Sequence, residues 1–346
     1  MTRKSRSSIK DVAERAGVST ATVSNVYTGK KHVNPELEER VKNAAEYLGY
    51  SVDRAASQLR SGNNRVIAVL VPDLEDLFLN RFVARIEDRA TSAGFEVIVS
   101  VSRNKPELER SKLSALLAWR PVGIIAVPCG DMLADGAFDG MDSTPLVAAD
   151  RIRPGAAPFD SVTIDNYGSG LLTIKHLVAN GAKSILLLRI PENPQPLLER
   201  IRAAREIEQQ QHDLKIEVLN IDIDPVQGAR DFTYWLQENA LPDAVVGLTN
   251  LTTLSALSAF AETGVNFPDD VLFSGYHDSL WMTARKTPIT TIEQPVDDVV
   301  RCVWERLEQR IAGSDSSPQH IVLNAKLIER ASTVPTAMHK KIARSG

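Results

Sequence analysis

The sequence predicts an α/β protein in which a small three-helix head precedes two doubly wound, parallel-sheet lobes. Three observations support this prediction. The first fifty residues carry helical patterns only. From Val66 onward, short apolar runs alternate with amphipathic helical patterns, which is typical of parallel sheets with helices on both faces. The alternation restarts near Val162, which indicates a second lobe.

Composition narrows the class of protein. The 346 residues are 43% hydrophobic, enough for more than one core. Cys129 and Cys302 are far apart in sequence, and the six His are scattered, so we expect no disulfide framework and no metal site. No apolar run approaches the ~18 residues of a membrane span, and no signal-peptide pattern opens the chain. We therefore expect a cytoplasmic protein.

The net charge of −4 hides an asymmetry between the two ends of the chain. Residues 1–62 hold 11 Lys and Arg against 7 Asp and Glu, while the remainder holds 29 against 37. A basic head on an acidic body suggests that the head meets a polyanion. A solubilising, basic N-terminal segment is the alternative.

Three helices are predicted in the head from their end signals. Ser8 can cap the first helix with Asp11 three residues on, and Gly17 ends it. Ser19 can cap the second helix, which runs to about residue 28. The third begins after Asn34, with Pro35 in its first turn, and ends at residue 49.

The second helix has an unusual polar face. A merely solvated face would usually carry Lys and Glu, but this one carries short hydroxyl and amide side chains and a methyl group, at Thr20, Ala21, Ser24, Asn25 and Thr28. Such a helix can sit deep in the major groove, where these groups hydrogen-bond base edges and phosphates. Helix, tight turn and helix with this stripe indicate a helix-turn-helix DNA-reading unit.

Several ordered stretches carry a resemblance to a known family. IKDVAERAGVSTATVSNV, VNPELEERVKNAAEYLGY and AASQLRSGNNRVIAVLVPD are similar to the lactose/galactose repressor (LacI/GalR) family of bacterial transcription regulators. With AADR, VTIDN, GYHD and PITTIEQP, the resemblance runs from about Ile9 to about Ser332. It implies a homodimeric regulator, acting as a repressor, with a two-lobed core of the periplasmic-binding-protein type. The two heads would read a pseudo-palindromic operator on double-stranded DNA.

The resemblance also implies DNA contacts around the second helix. It places bases near Thr20, Ala21 and Asn25, phosphates near Ser19, Thr22 and Ser24, and Lys31 near the backbone or a base. Asn25 stands where family members often have Arg or His, so a different operator sequence is expected.

Residues 51–63 are expected to be a hinge helix, with a plain linker as the alternative. The segment is too short to be a stable helix alone. The resemblance implies that it folds on DNA, where Leu59 wedges into the minor groove beside Ala56, with Arg60 near phosphate. Val52 stands where the family usually has Pro.

The predicted domain boundaries follow from these patterns. The head is 1–50, the hinge 51–63, the core 64–332 and a disordered tail 333–346. Within the core, the first lobe is expected at 64–160 and 293–330, and the second at 161–292. The return crossing is placed at 288–295, followed by helix 296–311 and a single strand at 320–329 of the first lobe.

A ligand cleft is expected between the lobes, beyond the carboxyl ends of the strands. The resemblance implies that an effector, such as a sugar, sugar acid or sugar phosphate, binds there and alters the hinge contacts. The expected effector-binding residues are Asp73, Asp76, Phe78, Asp150, Arg189, Arg200, Ile223, Asn250, His277, Trp281 and Gln294. Individually these residues have other interpretations: helix caps for the first two, core packing for Phe78, a structural strand end for Asp150 and a surface position for Arg200.

Departures from the family pattern concern charge. His277 stands where an Asp is usual, and Asn250-Leu251 where Asn-Asp is usual. With Arg189 at a nearby strand end, these changes suggest a pocket that tolerates a negative ligand. This hypothesis needs His277 to face the cleft, and Trp281 can equally pack on the ligand or inside the lobe.

No enzyme motif competes with this interpretation. YGSG at 167–170 lacks the third Gly of a dinucleotide-binding fingerprint, and no nucleophile elbow is present, so we expect neither catalysis nor a cofactor. A sugar-binding receptor of the periplasmic class is the alternative, and the head domain argues against it.

Overall fold

The computed structural model describes residues 7–28, 31–50, 64–129, 144–152 and 158–334. It divides into two compact units, Met1–Asn64 and Arg65–Gly346. The hinge segment 51–63, with Ala56, Leu59 and Arg60, lies outside the described residues, as does 335–346 of the predicted tail. None of the helices within the described ranges is both long and apolar enough to cross a membrane.

The head contains the three predicted helices, α1 (Ile9–Ala16), α2 (Thr20–Thr28) and α3 (Pro35–Leu48). Ser8 and Asp11 form the capping box of α1, and Gly17 ends it at φ 62°. Such a left-handed residue favours glycine. Asn34 caps α3 by accepting from the Glu36 N–H. The small core is built from Val12, Ala13, Ala16, Val23, Val41, Ala44 and Ala45.

The first sheet of the core has the strand order β11-β5-β4-β3-β1-β2, and its described pairs are all parallel. Its strands are β1 (Val66–Val71), β2 (Glu96–Val101), β3 (Gly123–Ala126), β4 (Leu146–Ala149), β5 (Asp160–Ile164) and β11 (His320–Leu323). Alternate β1 residues enter apolar clusters on both faces. The covering helices are α4 (Leu77–Ser92), α5 (Pro106–Leu117) and α11 (Val296–Ile311).

The second sheet has the order β12-β10-β9-β8-β6-β7, with β12 antiparallel to β10. Its strands are β6 (Ser184–Arg189), β7 (Lys215–Asn220), β8 (Ala244–Gly247), β9 (Leu272–Tyr276), β10 (Thr290–Glu293) and β12 (Lys326–Ile328). The helices that follow its strands or lead into them are α6 (Asn166–Ala179), α7 (Gln195–Gln210), α8 (Pro225–Glu238), α9 (Asn250–Thr263) and the short α10 (Leu280–Thr283). A 3-10 turn, Ala331–Thr333, ends the described chain.

The chain passes between the two sheets at three places. It leaves the first sheet after β5, returns between β10 and α11, and leaves again between β11 and β12. The passages are neighbours, because Ile164 pairs with Leu323 in the first sheet and Glu293 with Lys326 in the second. The lobes are therefore joined by three adjacent segments.

Two predicted boundaries were wrong. The second lobe was expected to begin at residue 161, but β5 belongs to the first sheet. Residues 320–329 were expected to form one strand of the first lobe, but they divide into β11 and β12, one in each sheet. A strand-helix pattern looks the same on either side of a crossing, so it does not show which sheet a strand joins.

The predicted tail also begins too early. Thr333 is buried, and its hydroxyl lies 2.6 Å from Thr290 Oγ1 and 2.7 Å from His176 Nε2. These contacts tie the 3-10 turn to the second lobe.

A buried ion cluster joins α11 to the edge of the first sheet. Asp160, at the start of β5, accepts hydrogen bonds from Arg306 Nη2 at 3.0 Å and from Arg310 Nε at 2.7 Å. It also accepts from the Gln319 N–H at 2.7 Å. Its side chain is fully buried. One carboxylate thus connects a helix, β5 and the segment before β11.

Close packing of α9 on the second sheet gives a stability prediction. A Cβ on Gly247 would lie 2.7 Å from Thr253 N and 2.6 Å from its Cα, atoms of a helix backbone. We expect Gly247→Ala to lower the free energy of unfolding by about 1–3 kcal/mol, because the helix must move away. Denaturant unfolding measures this. Equal stability of Gly247→Ala and the native chain would contradict the packing argument.

Candidate functional site

The outward face of α2 carries the predicted DNA-reading residues. Val23 is fully buried in the head core, while Thr20 and Ala21 on the other side are exposed. Ser24 and Asn25 are half-buried. Within the described range, α2 carries no acidic side chain in its first turn and no basic one in its last. Of the polar stripe predicted from the sequence, Thr20 and Ala21 are therefore presented outward, and Ser24 and Asn25 are partly exposed.

Two more of the predicted residues form the start of α2. Ser19 Oγ accepts from the Thr22 N–H at 3.1 Å, and the two hydroxyls lie 2.9 Å apart. The turn before them is held by Arg40, which donates to the Ala16 carbonyl. Lys31 is exposed in the segment that leads to α3. The turn and the helix start are thus fixed by hydrogen bonds within the head.

A cavity lies between the two lobes of the core, with about 530 Å³ of empty space, part of it open to solvent. Its walls come from loops that follow β1, β2 and β4 in the first sheet and β6 to β10 in the second. Ligand sites of parallel sheets lie at this end of the strands. The structure brings together eight predicted residues here: Asp73, Asp76, Phe78, Asp150, Arg200, Ile223, His277 and Gln294.

Three predicted residues do not line this cavity. Arg189 donates to the carbonyls of Ile190 and Glu192 and to Asn193 Oδ1, so its own loop holds it. Trp281 packs against the apolar cluster inside the second lobe. Asn250 is buried at the start of α9, between two residues that do line the cavity.

Asp73 and Asp76 accept hydrogen bonds from the backbone and also line the cavity. Asp76 Oδ1 caps α4 by accepting from the N–H groups of Phe78 and Leu79 at 2.8 and 3.3 Å. Asp73 Oδ1 accepts from the N–H groups of Glu75 and Asp76 at 2.7 and 2.8 Å. Their capping role and their position in the wall therefore occur together.

Asp150 is a buried carboxyl group in a left-handed backbone conformation, with φ 62°. Its Oδ1 has no hydrogen-bond partner among the described residues. Burial raises its pKa to about 6, against the opposing effect of Arg151 and Arg200. Gln294 Oε1 is a second buried acceptor that finds no partner in the described chain. Buried acceptors without partners are uncommon and mark places where a ligand or water can donate.

His277 faces the cavity, as the charge hypothesis requires, but it carries no charge near neutral pH. Burial lowers its pKa to about 4. Its ring lies 5.9 Å from that of Phe78, and its φ is 67°. His277 therefore makes the cavity less negative only because it is not a carboxylate.

Arg200 is buried beneath the cavity rather than on the surface. Its Nε and Nη2 donate to Asn166 Oδ1 at 3.1 and 2.7 Å, and its Nη1 donates to the Leu248 carbonyl at 2.6 Å. The guanidinium carbon lies 4.1 Å from the centre of the Tyr276 ring. Every nitrogen of this guanidinium is thus engaged within the second lobe.

Three polar residues of the cavity, Asn104, Arg151 and Thr249, were not predicted from the sequence. Arg151 Nη1 donates to Asn104 Oδ1 at 2.6 Å, which joins the loops after β2 and β4. Arg151 adjoins Asp150 in the AADR stretch, which was a usable signal. Asn104 offered only its position after a predicted strand.

Two family models match separate parts of the chain, one in the head and one in the core. Residues 8–53 match the model for bacterial regulatory proteins of the lacI family, and residues 174–333 match a periplasmic binding protein-like domain. A helix-turn-helix head with such a core is the class of a DNA-binding, ligand-responsive transcription regulator. The predicted fold class and function are confirmed at this level.

Full-length relatives show the family. The HTH-type transcriptional regulator KdgR of Bacillus subtilis is 30% identical over 331 residues, covering 94% of this chain and 97% of the relative. The HTH-type transcriptional repressor PurR of Vibrio atlanticus is 28% identical, covering 95% and 98%. The chain belongs to the lacI family of bacterial regulatory proteins.

A solved structure shows the same architecture. The lac repressor dimer, bound to operator and the anti-inducer ONPF, superposes with a TM-score of 0.79 at 27% identity. The match covers 95% of this chain and 99% of the repressor chain. These three relatives are transcription regulators, a class of protein that is not enzymatic.

Proposed function

We propose that this protein is a homodimeric repressor of a carbohydrate or related catabolic operon. Its α2 helices read a pseudo-palindromic operator, and a polyhydroxylated small molecule in the interlobe cavity controls the binding. One observation carries the proposal: a single chain holds an outward polar recognition helix and a cavity whose walls come from two lobes. The related lac repressor was solved as a dimer on operator with a small molecule.

The DNA-reading role is supported by the division of α2 into two faces. Val23 anchors the helix in the head, which leaves Thr20 and Ala21 outward and without charge. Ser19, Thr22, Ser24, Asn25 and Lys31 complete the proposed contact surface. Small side chains let a helix approach base edges closely, and hydroxyl and amide groups supply the hydrogen bonds.

The ligand-sensing role is supported by the chemistry of the cavity. Buried acceptors on Asp150 and Gln294 suit the hydroxyl donors of a sugar-like molecule, and Phe78 offers an aromatic surface for its carbon atoms. A ligand that contacts both walls binds one lobe arrangement better than another. Only this difference in affinity can shift the protein between arrangements.

Selection from a pool of randomised DNA duplexes tests the proposal. The full chain is expected to enrich an inverted repeat, since a two-fold dimer presents two recognition helices. A chain that begins at Arg65 is the control and is expected to enrich nothing. Enrichment by the shortened chain, or an enriched site without two-fold symmetry, would contradict the proposed mode of binding.

A further inference from the structure

One guanidinium of the cavity wall has two nitrogens without a hydrogen bond to a described residue. Among the described residues, Arg151 and Arg200 are the cationic side chains of the wall. All three Arg200 nitrogens are engaged within the lobe. Arg151 donates from Nη1 to Asn104, and its Nε lies 4.0 Å from Asp150 Oδ2, beyond hydrogen-bond distance. Arg151 therefore has donors on Nε and Nη2 that no described residue accepts.

This guanidinium is nearly buried, with a side chain 9% exposed. A buried cation normally forms a hydrogen-bonded pair with an anion. Two carboxyl groups on which the charge of Arg151 acts, Asp150 and Glu109, do not supply one. Asp150 is too distant for a hydrogen bond, and Glu109 accepts instead from the Cys129 N–H at 2.7 Å. The Nε and Nη2 groups of a guanidinium form a planar pair of donors that matches the two oxygens of a carboxylate.

The same cavity also holds acceptors that the hydroxyl groups of a ligand can satisfy. Asp150 Oδ1, after β4, and Gln294 Oε1, after β10, are buried without described partners. A complementary ligand thus carries one carboxylate and several hydroxyls. A phosphate ester fits less well, because its second negative charge would enter a wall that already holds Asp73, Asp76 and Asp150.

We propose that the effector is a polyhydroxylated carboxylic acid, whose carboxylate binds Arg151 and whose hydroxyls donate to Asp150 and Gln294. This inference rests on the proposed function, which makes the cavity an effector site. It assigns the acid-binding role to Arg151, in place of Arg189 and His277, whose loop contacts and neutral state do not suit it.

Matched pairs of probes test the inference on the full chain. Calorimetry compares D-galacturonate with D-galactose and D-glucuronate with D-glucose, since each pair differs in the terminal carboxylate. D-gluconate and D-glucose 6-phosphate extend the set. We expect an acid to bind about 10- to 100-fold more tightly than its neutral counterpart, because one charge-assisted bidentate contact has an effect of this size.

A variant then locates the carboxylate. Arg151→Gln is expected to lower the affinity for the acid by about 10-fold or more beyond any loss of affinity for the neutral sugar, so that the preference for the acid disappears. Arg202→Gln, on an exposed helix surface, is the control and keeps the preference. If Arg151→Gln does not fold, as judged by thermal unfolding without ligand, Arg151→Lys keeps the charge but loses the paired donors, and a reduced preference is still expected.

The outcomes separate the inference from the proposed function. Binding of a neutral sugar as tight as that of its acid, or an equal loss of both in Arg151→Gln, overturns the inference and leaves a sugar-sensing cavity. Tighter binding of the phosphate ester than of any acid also overturns it. Binding of none of the probes contradicts both the inference and the proposed class of effector.

Discussion

Asp160→Ala is expected to lower the free energy of unfolding by about 3–5 kcal/mol, because removing one partner of a buried ion cluster leaves the other charges uncompensated. Arg306 is itself nearly buried and would keep its charge without this carboxylate. The Gln319 N–H would also lose its acceptor. Urea unfolding followed by circular dichroism gives the measurement.

An exposed carboxylate on α11, the helix that carries Arg306 and Arg310, provides a control. Asp297 accepts from Arg81 Nη2 at 2.9 Å and Arg85 Nε at 3.1 Å, but its side chain is 61% exposed. We expect Asp297→Ala to change stability little, because exposed ion pairs are well solvated. Equal effects of the two substitutions would show that burial does not determine the contribution of the cluster.

The effect of Asp160 also depends on pH. Burial raises its pKa, but the hydrogen bonds from Arg310, Gln319 and Arg306 outweigh burial and hold the pKa below its ordinary value. A carboxyl group with a lowered folded-state pKa stabilises above its unfolded pKa of about 3.9, and this contribution is lost as the pH falls through the folded value. The stability difference between the native chain and Asp160→Ala is therefore expected to narrow below about pH 4.

Asn25→Ala is expected to weaken operator binding by about 10- to 100-fold for each half-site, the cost of one lost amide contact to a base. For a symmetric operator bound by two heads, the fold-losses in affinity at the two half-sites multiply. Fluorescence anisotropy with the selected duplex measures the affinity at fixed salt. Non-specific binding is expected to change little, since Asn25 carries no charge.

Asn43→Ala in α3 is the control for this experiment. Asn43 is exposed in the same head and lies off the recognition helix, so the chemical change is identical and the location differs. Both variants should unfold at the temperature of the native chain. An unchanged affinity in Asn25→Ala, or an equal loss in Asn43→Ala, would remove α2 from its proposed role.

Much of the fold could be predicted from local signals. Ser8, Gly17, Asn34 and the residues around them determine where the head helices begin and end, because capping acts over three or four residues. Most strands could also be predicted, because a short apolar run in the sequence is a local signal as well. The placement of β5 and the division of β11 from β12 could not be predicted, since they depend on which sheet lies beside each strand in space.

The cavity residues that could be predicted from the sequence are mainly those that follow the end of a strand. Asp73, Asp150 and His277 follow strand ends, and the parallel topology brings such residues together. Arg189 is the last residue of β6, but its side chain turns to the following loop, which sequence spacing does not reveal. The bond between Arg151 and Asn104 joins residues 47 positions apart, and no local pattern indicates it.

The three adjacent passages between the sheets have a mechanical consequence. One tether would let the lobes slide, twist and separate, but three neighbouring tethers leave mainly rotation about a common pivot. Gln294 lies in the passage from β10 to α11 and also lines the cavity. A molecule bound to this side chain therefore acts close to the pivot. A small displacement of the chain there becomes a large movement at the far ends of the lobes.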